Sequence, residues 1–251
     1  MTVAVDAPAV AERLAAAIVA GYGRPLPAAL RARAEELTID VAGLAVAARG
    51  SDYVAAVLAA CEGDGGCTAF GHRRGLSAGD AALVNGTAAH GEDFDDTFEG
   101  GPVHAGAVIV PAVLAAAELG GLKGADALYG IAVGAETMCR LSLVIPKAIH
   151  KAGFHPTAVL GAMAAAAGVG AARRLSARQL VDALGVAGSM ASGIIEYLAE
   201  GTWTKRLHPG WAAQAGLRAA RLAEGGFLGP RSVFEGTHGL FNGFARSNAG
   251  D

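Results

Sequence analysis

Apolar residues recur at steps of three and four along most of this chain, the spacing that turns one face of an α-helix toward a core. In LPAALRARAEELTIDVAGLAVAARG the stripe runs through Leu30, Leu37, Val41 and Leu44, and Gly50 supplies a stop. SDYVAAVLAACEGDGG predicts a second helix, opened by Ser51 or Asp52 and ended by glycines. SAGDAALVNGTAAHGEDF begins at Ser77 with an acid three positions on, a loose capping box, and LSARQLVDALGVAGSMASG has the fuller box, Ser176 with Gln179. Residues 105–117 and 157–172 carry no charge. Both are shorter than the ~20 residues that cross a bilayer, and they predict buried helices.

Strand signals are thin. CTAFGHRRG can be extended, but no run of alternating β-branched residues persists through a sheet, and no Gly-rich phosphate loop follows a strand. The pattern predicts an all-α fold, in a chain long enough for one large domain or two small ones. Glycine inside a helix costs about 1 kcal/mol relative to alanine. The 37 glycines therefore predict helices in close approach, as in GAMAAAAGVGAA.

Composition narrows the function classes. A chain of 251 residues, 53% hydrophobic and 17% charged, is long enough for a real buried core. Twenty basic against 23 acidic residues leave a net charge of −3, with no basic stripe for nucleic acid and no polybasic patch for a membrane surface. The opening MTVAVDAPAVAERLAAAIVAGYG places Asp6 and Glu12 where a signal peptide would be positive and then apolar, so the expected location is cytoplasmic. Cys61, Cys67 and Cys139 form an odd set without CxxC spacing, which argues against disulfides, a zinc site or an iron–sulfur cluster.

Against this apolar background the polar residues stand out. NGTAAHGEDFDDT gathers His90, Glu92, Asp93, Asp95 and Asp96, and GGPVHAGAVIVP sets His104 against an apolar run. AGFHPTAVLG puts His155 directly before Pro156, a helix-start position. GTWTKRLHPGWAAQAG holds Lys205, Arg206 and His208 between Trp203 and Trp211, and cations in an apolar setting call for anionic partners. Each has an ordinary structural role as well. The acids can cap a helix, the preferred reading for Glu92 and Asp95; Lys205 can lie on the surface, and His208 can cap the helix that follows. His72, His150 and His238 are structural by default. HGEDFDD also offers ligands for a metal-dependent hydrolase, although its spacing matches no metal motif.

Taken in order, NGTAAHGEDFDDT, VHAGAVIVPAVLAAAE, GFHPTAVLGAMAAAA and GSMASGIIEYLAEGTWTKRLHPGWAAQAGL resemble the MmgE/PrpD family, which includes 2-methylcitrate dehydratase, cis-aconitate decarboxylase and iminodisuccinate epimerase. The resemblance spans most of residues 26–241. It implies a large helical domain whose polar residues line a cleft closed by a smaller α+β domain. It also implies Asp93, His104 and His155 as catalytic residues, Thr97 and Lys205 as substrate-binding residues, a small carboxylic acid as substrate, a homodimer, and no metal or cofactor. The family's second domain contributes a lysine and a histidine from a stretch like KPYPSCRYTH, and nothing similar precedes Asp251. The resemblance therefore implies residues 1–251 as the helical domain with the α+β lid absent, whether as a split subunit completed by a separate chain, a truncated relative or a fragment. Dehydration, decarboxylation and epimerisation share a carbanion-like step, so the reaction stays open among them. A lid-less, non-catalytic dimeric scaffold is the alternative outside enzymes.

Overall fold

Short polar signals open several of the helices, and small residues decide how closely they pack. The computed structural model describes residues 7–245; Asp6, which entered the reading of the N-terminus, lies outside them. The chain begins with α1 (Val10–Ala20), α2 (Ala28–Ala48) and α3 (Asp52–Ala59), then makes a two-stranded antiparallel ribbon of β1 (Asp64–Thr68) and β2 (Gly75–Leu76). Next come α4 (Ala78–His90), α5 (Gly106–Gly120), α6 (Gly124–Val144), α7 (Ala148–Lys151) and α8 (Pro156–Ala172). The last elements are α9 (Ala177–Met190), α10 (Tyr197–Glu200), α11 (Thr204–Glu224) and α12 (Leu240–Ala245). With 65% helix and 4% strand the fold is all-α. The ribbon uses both ends of CTAFGHRRG, Cys67 and Thr68 in one strand and Gly75 in the other.

Local capping agrees with the sequence. Ser77 Oγ accepts from the Asp80 amide at the start of α4. At α9 the box is complete, with the Gln179 amide donating to Ser176 Oγ and the Ser176 amide donating to Gln179 Oε1. Both arrangements satisfy amides that a helix start would leave unpaired.

The centre of the molecule is α8, buried along all 17 of its residues and surrounded by α5, α6, α9 and α11. A helix enclosed on every side shows no amphipathic stripe and must be apolar all round. Alanine and glycine make that enclosure possible. A Cβ on Gly168 would meet the Gly130 carbonyl oxygen at 2.8 Å, so α6 and α8 touch backbone to backbone. Gly210 of α11 does the same on α4, where a Cβ would come 2.1 Å from the Leu83 carbonyl oxygen.

One part of the predicted stripe on α2 differs. Val41 is fully buried and Leu37 and Leu44 are partly so, but Leu30 is 53% exposed. It lies along an open groove that α2 forms with α6 rather than under a partner helix. Among the described helices α6 alone has the length and apolarity to cross a bilayer. Its buried face, including Gly130, Ile131, Gly134 and Met138, packs on α8 and α5.

Candidate active site

The site is built on the 91–105 loop between α4 and α5, and two carboxylates set that loop's shape. Asp96 accepts from the Ala105 and Gly106 amides at 3.1 and 2.8 Å, capping α5 and closing the loop on itself. Burial pushes the Asp96 carboxyl up to about 6, and the two amides partly offset that rise. Asp95 turns the other way, inward. Its Oδ2 lies 2.8 Å from His90 Nδ1, at the last residue of α4, and neither side chain has any exposure. The preferred sequence reading of Asp95 as a helix cap thus belongs to its neighbour Asp96.

His104 ends the loop. Its amide donates to Thr157 Oγ1 of α8, which ties the loop to the central helix. Its Nδ1 is 3.0 Å from the Asp96 carbonyl oxygen, 3.4 Å from Thr97 Oγ1 and 3.6 Å from Asp95 Oδ1. A carbonyl oxygen only accepts, so Nδ1 carries the proton and Nε2 is the basic nitrogen. Burial lowers the His104 pKa, with Asp95 opposing the shift, so the ring is neutral at neutral pH.

His155 is the N-cap residue of α8, as the following proline implies, and its amide donates to the Gly193 carbonyl oxygen at 2.8 Å. Its Nδ1 lies 3.1 Å from Nδ1 of His208, a buried residue inside α11 and not a cap. Burial, then the neighbouring His90 and His208, hold His155 down to about 2; burial holds His208 down to about 4. In those surroundings His155 stays a neutral imidazole.

Lys205 sits in the first turn of α11, 2.5 Å from Asp93 Oδ1. That contact, more than any other, lowers the Asp93 pKa. Asp93 has φ 61°, a left-handed conformation that aspartate tolerates better than bulkier residues and that turns the 91–105 loop here. Beside them Arg206 stacks its guanidinium 4.5 Å from the centre of the Tyr53 ring, whose hydroxyl donates to Glu92. Glu92, Asp93, His104, His155, Lys205 and Arg206 line one cavity of about 580 Å³, bounded also by Pro102, His150, Tyr197, Leu198 and Thr202. Of the five residues expected at the site, Asp93, His104, His155 and Lys205 line this cavity, and Thr97 reaches it through His104.

Asp95 and His208, read from sequence as helix caps, and His90, read only as part of HGEDFDD, stand beside the expected residues. His90 packs edge-on to His104 with ring centroids 4.7 Å apart and stacks on His155 at 5.8 Å. Its place inside HGEDFDD was the one available signal. The chain belongs to the MmgE/PrpD family. The family's N-terminal domain matches residues 12–249. The chain is 31% identical over 229 residues to the cis-aconitate decarboxylase-like protein oryM of Aspergillus oryzae, covering 86% of this chain and 47% of that protein. Against cis-aconitate decarboxylase of Aspergillus terreus the identity is 31% over 232 residues, covering 86% and 46%. Against the human cis-aconitate decarboxylase it is 37% over 160 residues, covering 62% and 33%. The chain spans about half the length of the fungal relatives it matches.

Ligand atoms of His90, Asp93, Asp95 and His104 all lie within 4.8 Å of one another, a spacing that invites a metal reading. Each of the four groups already has one partner within the protein: His104 Nδ1 a carbonyl, His90 Nδ1 and Asp95 Oδ2 each other, and Asp93 Oδ1 Lys205. Among the described residues His90 Nε2 and Asp95 Oδ1 have no partner and remain as donor atoms.

Proposed function

We propose that this chain is the helical part of a cofactor-independent lyase acting on small di- or tricarboxylic acids such as cis-aconitate or 2-methylcitrate, as a dehydratase or decarboxylase. The observation that carries this reading is the convergence of His104, His155, Lys205 and Arg206 on one cavity. Expelling carbon dioxide or water from a polycarboxylate needs cations to hold the carboxylates and a group that moves a proton at carbon. Lys205 and Arg206 suit the first task. His104 suits the second, because Nε2 is its basic nitrogen and a bound carboxylate beside the ring would raise its pKa back toward neutrality. His155, held neutral, offers a hydrogen bond to substrate without adding charge. Thr97 keeps His104 in register, and Asp93 keeps Lys205 extended toward the cavity.

The same groups serve epimerisation, in which a proton leaves and returns at one carbon, so that activity is the near alternative within the family. We propose in addition that a second body closes the cavity, either further chain or a separate subunit of α+β type. Phe94, Ile194, Leu198 and Trp203, on the segments that line the cavity, are each at least 49% exposed. Covering them would exclude water and strengthen every charge contact inside.

The test is turnover of cis-aconitate and of 2-methylcitrate by the chain alone and by the complete assembly. Conversion by the assembly, with little by the chain alone, is the expected result. Absence of turnover in both would favour a non-catalytic scaffold. The metal-dependent alternative is tested in the same assay with chelator: turnover should be unaffected, and chelator-sensitive turnover with bound metal would replace the cofactor-free reading.

A further inference from the structure

A carboxylate and an imidazole buried together must serve the fold or the chemistry, because removing a charge from water is costly unless it is well paired. Asp95 and His90 are such a pair, with no side-chain exposure and a 2.8 Å contact. Their remaining polar atoms make the pair unusual. Asp95 Oδ1 and His90 Nε2 are both buried, and among the described residues neither has a hydrogen-bond partner. A pair serving stability alone would satisfy both ends. Instead Oδ1 faces His104 Nδ1 at 3.6 Å, and the His90 ring lies between those of His104 and His155.

We infer that Asp95 is the positioning residue of this site: one carboxylate oxygen fixes the Nδ1–H tautomer and ring plane of His90, while the other places its negative charge beside the His104 Nδ1–H that the Asp96 carbonyl accepts, with His104 Nε2 free for substrate. The inference rests on the reading of His104 as the group that exchanges a proton with substrate. It gives Asp93 and Asp95 separate partners, the lysine for one and the imidazoles for the other. His104 is faced by Asp95 and Asp93 from the loop, by His90 from α4 and by Lys205 from α11, with His155 of α8 beside them. Asp95 opposes the lowering of the His104 pKa more than Asp93 does. Neutralising it should make the His104 ring harder to protonate.

Nitrogen NMR of the whole chain, labelled with 15N-histidine and assigned through His90→Gln and His104→Gln, tests this without any turnover. The lyase reading could therefore fail while the positioning role stands, or the reverse. At pH 7 both His90 and His104 should show a protonated Nδ1, and His104 an unprotonated Nε2. In Asp95→Asn, shown by circular dichroism to be folded, His90 should lose its single tautomer. The midpoint for protonating His104 should fall by about one pH unit or more, the usual effect of losing an adjacent opposite charge. Either ring found with an unprotonated Nδ1 in the unaltered protein would overturn the proposal, whether or not the variant folds. So would a folded Asp95→Asn in which both rings keep their tautomers and His104 its midpoint.

Discussion

Burial sets what each ionisable side chain near the cavity can do, and it sorts the histidines into different tasks. His104 keeps a basic nitrogen and an adjacent carboxylate, whereas His155 is enclosed among other imidazoles and stays neutral. In an active assembly, His104→Ala or His155→Ala should lower turnover by roughly 100-fold or more, the range for losing an acid–base or hydrogen-bonding group. His72→Ala, on the turn of the β1–β2 ribbon, should be nearly silent, and equal losses in all three variants would refute the assignment. The same burial makes stability depend on pH. In the unfolded chain His155 and His208 protonate near 6.5, but in the folded protein only near 2 and 4. The stability they contribute is complete above pH 6.5 and declines as pH falls below it, by about 1.4 kcal/mol per pH unit for His155. His208, less enclosed, adds less. Asp96, raised to about 6, acts in the opposite sense between about 4 and 6, because its charged form is the one the fold disfavours. Two imidazoles outweigh one carboxylate, so the thermal midpoint should drop between pH 7 and pH 5; a flat profile would show that the rings are hydrated in solution.

At the scale of elements, helix starts were legible and helix surroundings were not. Ser77 and Ser176 cap their helices because hydroxyl-to-amide bonds depend on a few adjacent residues. The stripe through Leu30 was legible as a helix, but its burial depends on which partner lies opposite, and among the described residues none covers that turn. The glycines divide in the same way. Gly43, exposed in α2, has open space where a Cβ would stand, so Gly43→Ala should stabilise the protein by about 0.5–1 kcal/mol through helix propensity. Gly210 has the α4 backbone at that position, and Gly210→Ala should cost about 1–3 kcal/mol or more by forcing α4 and α11 apart. Denaturant melts of the two variants should move in opposite directions. If both were stabilising, the close α4–α11 crossing would be wrong.

For the whole molecule, exposed apolar surface argues for company. Leu30, Ile39 and Val46 of α2 are exposed at 53%, 73% and 40%, on a helix that also borders the apolar groove with α6. We propose a homodimer, and light scattering at micromolar concentration should return twice the monomer mass; a monomer alone would count against it. The cavity rim argues separately for a lid, since Phe94 stands 79% exposed between Asp93 and Asp95. Adding the closing body should protect the 91–105 loop from proteolysis as well as restore turnover. A loop cleaved equally fast with and without it would argue that the cavity works open.

The sequence by itself determined the helical class, several helix starts, the family and most of the polar residues that meet in the cavity. Those follow from short-range chemistry and from motifs written in consecutive residues. His104 and His155 come from two such motifs, and Lys205 from a third. Only the tertiary structure decided the division of labour among the four acids of HGEDFDD. Asp93, Asp95 and Asp96 are near neighbours in sequence, yet one holds a lysine 112 residues away, one two imidazoles and one a helix start. A carboxylate's role is set by what its loop turns it toward and by how much water is left there, and both are properties of the packed molecule.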